Sequence, residues 1–208
     1  MFQRRRFFAP LLPFAAFALA SCIGIGADIE LKSDLSGTIA MEYRVSRMVE
    51  SMGKVDGNDR WLPLPVSRAD FERTVARVPA LALNSWSSSQ DETDLVVRAE
   101  LSFSNADALV TFLDATGRSA KFADNAGERS LILRLSEGGG ALDPDLETLV
   151  RTVFKGYSVR IRIKTPTEPV SSPAGTSNPS ARTASFDSPV ADLLASGQNL
   201  DWTVTWKE

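Results

Sequence analysis

The chain has 208 residues, a formal net charge of −3 and a pI near 5.2. An acidic chain is a poor candidate for binding nucleic acid, which rests on Lys and Arg neutralising phosphates, or anionic headgroups by charge alone. The sequence contains no histidine and a single cysteine. Together these exclude Cys/His nucleophile pairs, Ser-His-Asp triads, Cys/His zinc sites and histidine general bases.

The first 21 residues have the pattern of a secretory signal peptide. Three arginines at positions 4–6 precede an apolar run over 7–20, and small residues lie before the cut site. Pro10 and Pro13, and a run well under ~20 residues, argue against a membrane-spanning helix. Removing residues 1–21 leaves 187 residues with a formal charge of −6, enough chain for one domain or two small ones.

The residue after the predicted cut is the only cysteine, and Leu19-Ala20-Ser21-Cys22 resembles the lipobox of bacterial lipoproteins. In such proteins the cysteine thiol carries diacylglycerol and the new amino terminus is usually acylated. The resemblance implies a lipid anchor at Cys22, in the cell membrane or the outer membrane, with the domain outside the cytoplasm. The alternative is a plain signal peptide or an uncleaved anchor with an incidental cysteine.

The folded domain is predicted to begin close to the anchor. Residues 22–28 are small and Gly-rich, and we interpret them as the acylated cysteine with a short tether. Apolar and polar residues then alternate over 29–31 and 39–45, the period of strands with one buried face. Asp34-Leu35-Ser36-Gly37 supplies turn residues between them, so the pattern predicts a β-hairpin.

Local signals in the middle of the chain predict further elements. Ser67, with Asp70 three residues later, forms a variant capping box, and Asn105 and Asp143-Pro144 begin two more predicted helices. Asp124-Asn125-Ala126-Gly127 is a hairpin turn of the Asn/Gly type. Strands and helices interleave and most predicted strand pairs are hairpins. We therefore predict a single α+β domain over residues 29–208, a largely antiparallel sheet with helices packed on one face.

Two late stretches differ in character. Tyr157 to Lys164 alternates strictly and predicts a strand with one apolar and one basic face. Residues 165–182 contain four prolines among Ser, Thr and Gly, which predicts an exposed irregular loop.

No spacing in the chain marks catalytic or metal chemistry. The acidic clusters 91–94 and 143–145 lack the ordered ligand pattern of an EF-hand and are expected to serve turns and helix caps. No Gly-x-Ser-x-Gly elbow is present. We therefore expect a protein that is not an enzyme, with no cofactor and no metal.

The two ends of the domain resemble the LppM-type domain of bacterial envelope lipoproteins, and uncharacterised spirochaete lipoproteins of similar length. The matching features are the lipobox and hairpin turn already described, the strand 157–164 running into Thr165-Pro166, then Val170 and Gly175, and the terminal stretch 202–206. Relatives of this type often carry a membrane helix after the domain, whereas this chain stops at Glu208, which leaves the amino-terminal anchor. The resemblance implies a tethered α+β domain that binds lipid or another apolar ligand, without catalytic residues.

Two functions follow as hypotheses. The first is an envelope lipoprotein whose domain encloses a groove for a lipid or other apolar ligand, since ligand pockets are mostly apolar. The second is a structural or protein-interaction module of the envelope, with 61–65 as an exposed apolar patch. A sealed core would favour the interaction module, and a cavity open to solvent would favour lipid binding. Singly, each candidate lining residue also fits ordinary core packing. The candidates are Trp61, Leu62, Leu64, Trp86, Phe103, Phe112, Trp202 and Trp206.

Overall fold

The computed structural model describes residues 23–47, 65–114 and 117–208. These residues form eleven strands and four helices. Within them, no helix is long and apolar enough to cross a membrane. In chain order the elements are β1 (Ile23–Leu31), β2 (Gly37–Ser46), α1 (Arg68–Arg77), β3 (Leu81–Gln90), β4 (Asp94–Phe103), α2 (Ala106–Leu113), β5 (Ala120–Asn125), β6 (Glu128–Ser136), α3 (Pro144–Val153), β7 (Ser158–Lys164), β8 (Val170–Ser171), β9 (Thr176–Asn178), β10 (Thr183–Pro189), α4 (Val190–Ala195) and β11 (Leu200–Lys207).

The strands form two sheets. The larger has seven strands in the order β3-β4-β2-β1-β7-β10-β9, and the smaller has four in the order β5-β6-β11-β8. Strands β1 and β7 run parallel, and every other pairing among these strands is antiparallel. The predicted α+β class with a largely antiparallel sheet is confirmed; the division of the strands into two sheets is an addition to it.

The predicted local signals form the elements expected of them. The Asp34 carboxylate accepts hydrogen bonds from the backbone N–H and the hydroxyl of Ser36, which closes the β1–β2 turn. Ser67 and Asp70 form a reciprocal capping box at the start of α1. Asn105 and Asp143 accept backbone N–H bonds at the starts of α2 and α3. Each satisfies donors that a helix end leaves unpaired.

The core lies on one face of the seven-stranded sheet. Trp202, Val204 and Trp206 of β11 are buried in the same hydrophobic cluster as the inward residues of the large sheet. Helix α1 contributes Phe71, whose ring stacks with that of Tyr43 at 6.4 Å between centroids. Burial raises the pKa of the Tyr43 hydroxyl. The small sheet and helices α1, α2 and α4 therefore contribute to the core on one face, and no other described element covers the opposite face of the large sheet.

Two of the sequence boundaries need correction. Residues 23–28, interpreted as a tether, are the first six residues of β1. Gly24 and Gly26 are poor strand formers, yet β1 pairs with β2 on one side and with β7 on the other, which holds the backbone. The predicted irregular loop 165–182 contains β8 and β9, which pair with β11 and β10.

Gly175 shows why this loop is ordered against the core. A Cβ placed there would lie 2.7 Å from the carbonyl oxygen of Ser185, and closer still to the indole nitrogen of Trp202. Only glycine lets the loop approach the β11 tryptophan this closely.

We predict that Gly175→Ala lowers the free energy of unfolding by about 1–3 kcal/mol, the usual cost of overpacking. Urea unfolding of the mature chain with Cys22→Ser measures the change. Gly139→Ala is the matched control, because a Cβ at Gly139 meets no atom within 4 Å. Equal stabilities of the two variants would contradict the close approach.

Candidate functional site

Four of the residues singled out in the sequence lie outside the described residues. They are Cys22, Trp61, Leu62 and Leu64. The structure therefore gives no position for the predicted lipidation site or for the predicted 61–65 patch.

The other five candidates belong to the hydrophobic core. Phe103, Trp202 and Trp206 are buried, and Trp86 and Phe112 are half-buried against the same cluster. The Trp202 indole N–H donates to the Ser171 hydroxyl at 2.8 Å. The ring of Trp202 lies 5.9 Å from that of Phe186. Together the five form packed interior, and none of them lines either of the clefts described next.

A different surface presents itself on the open side of the seven-stranded sheet, and we call it the charged face. It is built by the outward residues of five adjacent strands, which alternate with the buried residues of the core face. Its members are Asp28 and Glu30 of β1, Ala40 and Glu42 of β2, Arg98 and Glu100 of β4, Arg160, Arg162 and Lys164 of β7, and Ser185 and Asp187 of β10.

Small residues in the middle of the charged face create a groove of about 750 Å³. Gly26 and Ala40 lie on the central strands, and the longer arginines lie on the strands to either side. Ser85 and Ser185 extend the floor toward the two edges of the sheet. An open trough lined by charged, polar and apolar residues is thus formed where glycine and alanine replace long side chains.

Cross-strand ion pairs organise the groove. Arg98 Nε lies 2.9 Å from Glu42 Oε2, across the β4–β2 pair. Arg162 Nε lies 2.6 Å from Asp28 Oδ1 across the parallel β1–β7 pair, and Arg160 Nε lies 3.0 Å from Asp187 Oδ2. Beyond the groove, Lys164 Nζ lies 2.9 Å from Glu30 Oε1. Each of the three groove arginines is neutralised by a carboxylate beside it.

Glu100 differs from the other groove carboxylates. Its register neighbours on the adjacent strands are Ser85 and Ala40, neither of which carries a charge. Among the described residues, Glu100 has no ion-pair or hydrogen-bond partner. The groove therefore carries four carboxylates against three guanidinium groups, and Glu100 is the excess negative charge.

A second, smaller cleft of about 240 Å³ lies at the far end of the same sheet. It is lined by residues 30–33, 164–166 and Arg182. Arg182 donates from Nη1 to the carbonyl oxygen of Pro166 at 2.9 Å, so its guanidinium joins the two sides of this loop.

The acidic clusters 91–94 and 143–145, which were expected to serve turns and helix caps, make local contacts. Asp91 accepts the backbone N–H of Asp94 and of Thr93, and these hydrogen bonds lower the pKa of its carboxyl. Asp143 accepts two backbone N–H groups at the start of α3. Within the described residues, no group of three or more metal-ligating side chains is close enough to hold an ion.

Sequence reasoning missed the charged face, although each strand contained a signal for it. The basic alternation of 157–164 was recognised, and the acidic residues Asp28, Glu30 and Glu42 alternate in the same way. The pairing of β1 with β7, which joins residues 134 positions apart, brings Asp28 and Glu30 beside Arg162 and Lys164.

Comparison of the fold with solved structures gives a match to the folded domain of LppM from Mycobacterium tuberculosis, determined by NMR. The match covers 90% of this chain and 91% of that chain, with a TM-score of 0.51 and 13% sequence identity. The chain has an LppM-like fold. No family model matches the chain, and no curated protein matches it. At this identity the likeness establishes the fold alone.

The ion pairs of the charged face are predicted to add little to stability. Asp28 and Arg162 are 54% and 61% exposed, and pairs in such high dielectric usually contribute only about 0.2–1 kcal/mol. A double-mutant cycle with Asp28→Ala and Arg162→Ala, followed by urea unfolding, measures the coupling. A coupling energy above about 2 kcal/mol would contradict this prediction, because the ion pair would then contribute substantially to the stability of the sheet.

Proposed function

We propose that this protein is a lipid-anchored, non-catalytic domain of a bacterial cell envelope, and that its charged face binds a protein segment carrying Lys or Arg. Glu100 is the observation on which the binding proposal rests, because it is a carboxylate without a partner among the described residues, in a groove whose other charges are balanced. In function this corresponds to an interaction module of the envelope.

The anchoring part of the proposal rests on the sequence around Cys22. The lipobox-like stretch Leu19-Ala20-Ser21-Cys22 would be cut before the only cysteine and would leave it for acylation. Several acyl chains, each adding about 0.8 kcal/mol per buried CH₂, give stable attachment. The domain would then lie outside the cytoplasm, on the cell membrane or the outer membrane.

The non-catalytic part is supported by the chemistry available. The chain has no histidine, and the only thiol belongs to Cys22. Each groove arginine is paired with a carboxylate in an open, exposed trough. Carboxyl groups in such surroundings lack the burial that tunes a general acid or base.

The chemistry of the groove favours a basic, extended partner. A Lys or Arg side chain laid across Ala40 would meet the free carboxylate of Glu100 and form a charge-assisted hydrogen bond. Backbone and polar groups of the same segment would face Ser85, Ser185 and the paired arginines. Charges at the rim and in the groove affect which partner binds and how fast it associates more than they affect how tightly it binds.

An apolar ligand receives less support from the described residues. The aromatic candidates in this part of the chain pack into the core, and the 750 Å³ groove is lined by seven charged residues together with serines and apolar residues such as Met41, Ile161 and Phe186. The packing of these aromatic side chains in the core favours the interaction module over an enclosed lipid site. Lipid binding remains the competing hypothesis.

In-cell photocrosslinking tests the proposed partner surface. A benzophenone amino acid replaces Ser87, an exposed residue at the edge of the groove, in the full chain. We predict a discrete protein adduct whose yield falls at least about tenfold when Glu100→Lys is added, because the change replaces an attraction by a like-charge contact that costs at least about 1.4 kcal/mol.

Glu168→Lys is the matched control, since it makes the same charge change at an exposed residue before β8. It should leave the adduct unchanged. An adduct that survives Glu100→Lys, or the absence of any protein adduct, would count against the charged face as the partner surface.

A further inference from the structure

Helix α3 is unlike the other helices because it has no buried residue of its own. Leu146 and Val150 are half-buried, whereas Leu149 is 57% and Val153 is 38% exposed. Residues at i and i+4 of a helix lie on the same face. Leu149 and Val153 therefore form an apolar pair that points away from the domain, which we call the α3 ridge.

The topology places the α3 ridge beside the start of β1. Strand β7 follows α3 and runs parallel to β1, so the first residues of both strands lie at the same end of the sheet. A Cβ built on Gly24 would lie 3.5 Å from Cδ1 of Tyr157. Val153 precedes Tyr157 by four residues, which span at most about 14 Å.

Hydrogen bonds and an ion pair connect the elements at this end of the sheet. Tyr157 donates its hydroxyl to Asp94 Oδ1 at 2.7 Å, at the start of β4. The Tyr157 carbonyl accepts the N–H of Val190, the first residue of α4, at 3.0 Å. Arg151 of α3 reaches Asp192 of α4 at 2.7 Å. The α3 ridge thus has a fixed position relative to β1.

Strand β1 also begins without a linker. Its first residue, Ile23, is bonded directly to Cys22, the proposed acylation site. We infer that the β1 end of the domain faces the bilayer holding the Cys22 lipid, and that the α3 ridge inserts Leu149 and Val153 into the interface of that bilayer. This inference rests on the proposed anchoring at Cys22.

Charge alone does not draw this end to a membrane, because both signs are present there. The Arg47 N–H donates to the carbonyl oxygen of Thr93, which follows Asp91 and Glu92, and Lys155 lies two residues before Tyr157. Apolar contact is therefore the attraction, with Lys155 able to extend its ammonium to the headgroups. Two side chains suffice because the lipid anchor already holds the ridge at high effective concentration beside the surface.

The test uses the full-length acylated protein, purified and reconstituted into phosphatidylethanolamine/phosphatidylglycerol vesicles. Leu149→Cys is labelled with the environment-sensitive fluorophore NBD, which reacts with the new thiol because an acylated Cys22 has none. Val170→Cys is the matched control, since Val170 is also apolar, is 69% exposed, and lies in β8, beyond the opposite end of β7. Intact mass first establishes whether Cys22 carries acyl chains.

We predict a blue-shifted emission at position 149 with at least twofold quenching by doxyl-labelled lipid, and neither effect at position 170. With Cys22 acylated, a label at 149 that is as exposed as the label at 170 overturns the membrane contact while leaving the proposed function in place. A mass without acyl chains removes the anchoring on which both rest. If the label at 149 is also shielded in a lipid-free Cys22→Ser chain, protein and not lipid covers the α3 ridge, and the inference is overturned.

Discussion

Strand β1 is the element on which the rest of the structure depends. It pairs antiparallel with β2 and parallel with β7, so it joins the amino-terminal half of the large sheet to the carboxyl-terminal half. Residues such as Asp28 and Arg162, 134 positions apart in the sequence, become neighbours only through this pairing. Because β1 starts at Ile23, the same strand also links the centre of the sheet to the proposed anchor at Cys22.

The parallel β1–β7 pairing explains the character of the charged face. It sets an acidic strand beside a basic one, and the resulting ion pairs neutralise Arg162 and Lys164. Arg98 and Arg160 find their carboxylates across other strand pairs. The glycine and alanine of the central strands leave room between these pairs. Within the residues that the structure describes, Glu100 is the groove charge left without a partner, which is why the proposed function rests on it.

Local elements could be predicted from the sequence because their causes are local. The Asp34 turn, the Ser67–Asp70 capping box and the Asp143 helix start each need only residues a few positions apart. The α+β class followed from the alternation of such elements. The β1 start at Ile23 and the strands within 165–182 could not be predicted in this way, because distant backbone partners stabilise segments of low strand propensity.

The candidate site was predicted less well, for a related reason. Tryptophan and phenylalanine residues suit an apolar pocket and a core equally, and the choice depends on whether a second sheet covers them. Here β11 carries Trp202 and Trp206 into the core. The charged face could not be predicted from the sequence, because the polar side of each strand taken alone has the pattern of an ordinary solvent-exposed surface.

The central claim is that the domain recognises its partner through the outer face of the sheet and does not enclose a lipid. Native mass spectrometry with lipid extraction, on the freshly purified mature chain carrying Cys22→Ser, tests this most directly. The account predicts the mass of the polypeptide alone, unchanged after incubation with envelope lipids. A stoichiometric co-purified lipid, lost on Trp202→Arg in a variant that stays folded, would contradict it and restore the apolar-ligand hypothesis.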